Sequence, residues 1–216
     1  PIRDNIISSY NYIASNQKLF LFITLAFIGA LSMVVLFNNN QASKLYNSNK
    51  ITGTAQYLYA LSEKNNSVDM KLESVEMFDE ILNGSYSEES LNQAIIYKIK
   101  ELIDNGESID EILNSYKFSS SDNFLNSMYH TLVGDYYYNN KIFDNAINSY
   151  KIALKSYDDY KNILIDTQLS LLKTYIEIND VSSASKIYTS IDRSLLSSSS
   201  KDKLDIFYSQ YSSKLK

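Results

Sequence analysis

Eight residues, IDEILNSY at 109–116, return as FDNAINSY at 143–150, an offset of 34 residues. Self-similarity at a period of that size constrains a fold strongly, because each copy is a supersecondary unit that covers its apolar face only by stacking on a neighbour. The second copy lies in LVGDYYYNNKIFDNAINSYKIAL, 132–154. There a glycine and three consecutive tyrosines precede the polar break Asn139-Asn140-Lys141, after which Ala146, Tyr150 and Ala153 recur at helical spacing. Polar residues of this kind tolerate a tight turn. The stretch reads as two helices joined by a short turn. One proline, five glycines and no tryptophan leave little of the punctuation that a many-stranded β fold requires.

A helical hairpin at this period resembles the tetratricopeptide-repeat family, in which a large residue, Leu, Gly and Tyr fall along helix A and Ala, an aromatic and Ala along helix B. With Gly134 at the small position, His130, Val133 and Tyr137 take the large positions of helix A, and Ala146, Tyr150 and Ala153 follow on helix B. His130 stands where the family has Trp. Carried outward, the register gives Leu171, Tyr175, Ala184, Tyr188 and Ile191 downstream, and Leu58, Leu61, Ser74, Phe78 and Ile81 upstream. The small helix B position then reads Ser74, Ile112, Ala146 and Ala184, with Phe78, Tyr116, Tyr150 and Tyr188 four residues on. The resemblance implies four repeats, at 55–88, 93–126, 127–160 and 165–198, with insertions near NGSYSEES and SYDDYKN. Leu204, Phe207, Tyr208, Tyr211 and Leu215 then share one face of a further helix, 199–216, the end piece that a solenoid needs. The expected fold is all-α: an amino-terminal transmembrane helix, a helical-hairpin solenoid and a carboxyl-terminal capping helix.

The transmembrane expectation rests on LFLFITLAFIGALSMVVLF, Leu19 to Phe37, which carries no charge. At about 1.5 Å per residue this run reaches roughly 28 Å, close to the thickness of a bilayer core, and it is apolar on every face. A signal peptide has a shorter apolar region and small residues before its cut, which FNNNQAS supplies poorly; the run reads as an uncleaved anchor. Residues 1–18 form a short preceding segment and 38–54 a juxtamembrane linker or the start of the first helix. Arg3 and Lys18 precede the run, and Lys44 and Lys50 follow it. The balance leans toward a cytoplasmic short end and a large domain outside.

The net charge of -5 argues against the basic surface that nucleic-acid binding requires. The absence of cysteine closes disulfides, thiolate metal sites and cysteine nucleophiles. No zinc-protease, Walker or dinucleotide fingerprint is present, and the single histidine, His130, falls in a packing slot. No catalytic residue, metal, cofactor or small-molecule substrate is expected. The paired acids of SEES, 87–90, and SYDDY, 156–160, read as solvated caps at hairpin boundaries.

The layout of short end, single span and acidic helical repeats is similar to the ancillary subunit of the bacterial SecYEG translocon. That likeness implies an inner-membrane protein, mostly periplasmic, with translocon subunits or envelope chaperones as partners. The family's concave groove is built by helix A. The register places there Tyr59 and Glu63, Tyr97 and Glu101, Thr131, Asp135 and Tyr138, and Leu169 and Lys173. A row of carboxylates, Glu63, Glu101 and Asp135, flanked by Tyr59, Tyr97 and Tyr138, suits a peptide carrying basic residues. The expected function is a membrane-anchored adaptor for protein–protein interaction. Two alternatives keep the fold. One is a structural subunit of a membrane complex, favoured by Ala26, Gly29, Ala30 and Ser32, small enough for close helix contact in lipid. The other is an organelle-surface tethering or import receptor.

Overall fold

The computed structural model describes residues 17–156 and 164–214. The short segment 1–16, most of the SYDDYKN insertion and Leu215 lie outside the described residues, as does the side chain of Tyr211. The chain divides into two units, 1–48 and 49–216. Among the described residues the class is all-α, without a strand.

The first helix, α1, spans Gln17–Asn65 and contains the whole apolar run. Among the described residues it is the one helix long and apolar enough to cross a membrane. Phe22, Phe27, Leu31, Met33, Val35 and Phe37 are all exposed on the first unit. Within this stretch Ser32 Oγ is satisfied internally, donating to the Ile28 carbonyl at 2.9 Å. Residues 38–54, expected as a juxtamembrane linker or the start of the first helix, are helical throughout. No proline or glycine intervenes between Gly29 and Gly53, and the hydroxyls of Ser48 and Thr54 fold back onto the carbonyls of Lys44 and Lys50 rather than opening the backbone.

In the second unit the remaining helices are α2 (Val68–Asn83), α3 (Glu88–Asp104), α4 (Asp110–Ser115), α5 (Asn123–Asn139), α6 (Phe143–Ser156), α7 (Ile165–Glu177), α8 (Val181–Ser190) and α9 (Ser198–Lys214). Four of the connections share one turn. After α1, α3, α5 and α7 the chain passes through a residue of positive φ: Asn66 at 51°, Gly106 at 73°, Lys141 at 60° and Asn179 at 62°. The next amide then bonds back five residues, Ser67 to the Ser62 carbonyl, Glu107 to Leu102, Ile142 to Tyr137 and Asp180 to Tyr175, at 2.8–3.0 Å. This is the Schellman closure, which satisfies the last helical carbonyls and reverses the chain. These turns mark four hairpins, α1–α2, α3–α4, α5–α6 and α7–α8.

Ser74, Ala146 and Ala184 are fully buried and Ile112 nearly so. Ser74 Oγ donates to the Ala55 carbonyl at 2.9 Å, fastening α2 to the end of α1. In the third hairpin Gly134 lets the Tyr150 ring lie on the α5 backbone; a methyl at 134 would sit 2.5 Å from Tyr150 Cε1. Two buried clusters follow. One gathers Phe78, Ile81, Ile95, Ile99 and Ile112; the other gathers Tyr150, Leu171, Leu172, Tyr175 and Leu204, and Tyr137 packs against both.

Two boundaries differ from expectation. Helix α3 begins at Glu88 rather than 93, because Ser87 caps it by accepting from the Ser90 amide. The second helix B stops at Ser115, and Tyr116 is extended rather than helical. Asn92 holds the following segment, accepting from the Ser119 amide and donating to its carbonyl, while Phe118 stacks on Tyr129 with centroids 4.0 Å apart. The capping helix α9 packs on α7 and α8, burying Leu204 and stacking Tyr208 on Tyr188 at 5.2 Å.

Candidate functional site

The end of α1 and the helices α3, α5 and α7 lie side by side. The Tyr59 and Tyr97 rings meet edge to face at 5.1 Å, α3 packs on α5, and the hydroxyls of Thr131 and Thr167 join α5 to α7 at 2.9 Å. A cleft of about 390 Å³ opens across this row. Tyr59, Ala60 and Glu63 line it from α1, and Ile96, Tyr97 and Lys100 from α3. Helix α5 contributes Phe124, Ser127, Met128, Thr131 and Leu132, and α7 contributes Asp166 and Thr167. Its floor is apolar and its charges stand at the edge.

Expected groove residues divide according to register. Counted back from each positive-φ turn residue, the sixth position is Ala60, Lys100, Asp135 and Lys173, and the seventh is Tyr59, Ile99, Gly134 and Leu172. That seventh position is buried in every hairpin. The helix B slots Ser74, Ile112, Ala146 and Ala184 lie eight, six, five and five residues after their turns. A register carried from helix B therefore misplaces helix A by three residues in the first hairpin and one in the second. Tyr59 is consequently packed mainly into the core, 3% exposed, although it still lines the cleft. Leu169 is likewise buried. Tyr97 is half-buried, stacked on Phe78 at 4.5 Å, and presents only part of its ring to the cleft. Burial pushes the phenols of Tyr59 and Tyr97 up.

The expected row of carboxylates does not form a free acidic face. Glu63 pairs with Lys100 at 2.5 Å, and the same ammonium lies 4.6 Å from the centre of the Tyr59 ring. Glu101 faces α2 rather than the cleft. It shares Lys98 with Asp79, both at 3.0 Å; burial pulls the Lys98 ammonium down, and the two carboxylates outweigh that and hold it up. Asp135 accepts from the Tyr150 hydroxyl at 2.7 Å, with Ser170 and Lys173 beside it. Burial nevertheless pushes its carboxyl up. Lys173 Nζ lies 4.4 Å from the Tyr138 ring centre, so Asp135, Tyr138 and Lys173 are brought together in one cluster, and Thr131 joins the cleft wall.

His130 sits edge-on to Tyr129 at 5.0 Å, and burial pulls its imidazole down, which keeps it neutral near pH 7. The register approach missed Lys100, Phe124, Met128 and Asp166. Phe124, Met128 and Thr131 recur at i, i+4 and i+7, a stripe that reads equally well as core until the helix packing is known. Compared with known proteins, the chain matches no family model, no curated protein and no solved structure.

Proposed function

We propose that this chain is a membrane-anchored adaptor that binds other proteins through the cleft across α1, α3, α5 and α7, the hairpins forming a tetratricopeptide-like solenoid. The observation that carries the reading is the cleft itself: apolar at its floor, open to solvent, and built by successive hairpins of one unit in a chain that also carries an apolar helix. Concave, mostly apolar sites with a few polar groups at the edge are where proteins take ligands and peptide segments. The membrane run would hold the adaptor at a bilayer. The likeness in layout to the translocon's ancillary subunit extends the proposal to a bacterial inner membrane, with the hairpins on the periplasmic side and translocon subunits or envelope chaperones as partners.

The test is mild crosslinking in intact membranes followed by purification through a carboxyl-terminal tag, comparing wild type with Ala60→Trp. Ala60 is exposed and lines the cleft, so the indole fills the cavity without entering the core. Loss of recovered proteins from the variant supports the cleft as the binding site. Recovery of the same integral membrane proteins from both favours a structural subunit held by α1.

A further inference from the structure

The cleft holds more than a generic apolar surface, because its charges are not equivalent. At one edge Lys100 is committed twice over, to Glu63 at 2.5 Å and to the face of Tyr59 at 4.6 Å. At the other edge stands Asp166, in the first turn of α7 and exposed, and among the described residues no ion pair engages it. Between them lie Ile96, Phe124, Met128 and Leu132, with Phe124 38% exposed although it is a large apolar side chain. Phe124 and Asp166 thus line one cavity, apolar surface together with a carboxylate that no cation among the described residues pairs with, a combination that a partner of opposite character would complement. The volume falls within the range that side-chain-sized ligands fill.

We infer that the occupant is a peptide segment of a partner protein that inserts a large aliphatic or aromatic side chain between Phe124 and Met128 and places a lysine or arginine against Asp166. The inference rests on the reading of the cleft as the partner site and gives that partner its chemistry. It replaces a distributed acidic row with one apolar anchor and one cation contact. Acidic peptides are disfavoured, because Asp166 and Glu63 both face them and Lys100 is already engaged.

The experiment is selection of a random peptide library displayed on phage against the full chain in lipid nanodiscs. The recovered peptides are then titrated against wild type, Ala60→Trp, Asp166→Asn and Asp166→Lys. The expected result is enrichment of a large apolar residue close to Lys or Arg, loss of binding to Ala60→Trp, and weakening by about tenfold with Asp166→Asn and more with Asp166→Lys. An Arg→Glu change in the peptide should be rescued in part by Asp166→Lys. Peptides that require an open cleft but carry no basic residue, or are indifferent to Asp166, overturn the inference and leave the cleft as the partner site. Peptides that bind Ala60→Trp as well as wild type, or no enrichment at all, overturn both. Unchanged far-ultraviolet circular dichroism of the variants secures the comparison.

Discussion

The Tyr150 hydroxyl donates to Asp135 Oδ1 across 2.7 Å while the same ring rests on Gly134, the residue immediately before that aspartate. One aromatic side chain thus reads two successive positions of α5. The first must have no side chain, and the second must offer an acceptor.

Gly134→Ala should destabilise the second unit by about 1–3 kcal/mol, the usual cost of forcing extra volume into a packed interior. The added methyl would meet Tyr150 Cε1 at 2.5 Å and Cδ1 at 2.6 Å. Gly53→Ala, with nothing within 4 Å, should instead stabilise by about 0.5–1 kcal/mol through helix propensity. Denaturant unfolding of the detergent-solubilised chain, followed by circular dichroism, measures both. Equal effects of the same sign would contradict the packing described.

Asp135 carries a pH signature. Burial raises its folded carboxyl above the ordinary value, so its contribution to stability is fully present at acid pH and is lost as pH rises through the raised value. Asparagine cannot ionise and still offers an oxygen to Tyr150. Asp135→Asn should therefore match wild type near pH 3.5 and become the more stable form as pH approaches 7. A stability difference that does not change with pH would show that Lys173 and Ser170 fully compensate the burial.

His130 titrates in the opposite sense. Its folded value is depressed by burial, so the stability it contributes is present above the ordinary histidine range and lost as pH falls through the depressed value. His130→Phe should remove that acid sensitivity between about pH 7 and pH 5. Two superimposable pH profiles would place the ring in water.

Asn92 is 3% exposed and makes both of its hydrogen bonds to the backbone of Ser119. Asn92→Ala leaves those groups without partners and should cost about 1–3 kcal/mol. Amide exchange should quicken across 116–122 well before it changes in α5. Uniform quickening across the unit would mean that the segment is not a separate element.

Helix class, the hairpin near 130–153 and the capping helix were legible because apolar periodicity and small residues at close contacts are local, physical requirements. Tyr116 and Tyr59 were not. Nothing near Tyr116 signals that Asn92, more than twenty residues earlier, will seize the backbone at Ser119 and end the helix. The burial of Tyr59 was hidden for a different reason. The distance from turn to helix B slot shrinks from eight residues to five along the chain, and a period read from one helix cannot reveal a change in the turn before the other. The cleft's apolar stripe was visible as a pattern, but its exposure depends on how α3, α5 and α7 are spaced, which no single segment encodes.

The four Schellman turns also bear on the order of events in assembly. Each closes its hairpin through partners five residues apart, and the packing that follows is mostly within a hairpin or between one hairpin and the next. Chains dominated by such local contacts have low contact order and fold quickly, one unit templating the next. A ribosome releasing this polypeptide in order would expose the apolar run first and then one completed hairpin at a time. Only the last of them would wait for α9 to cover Tyr188.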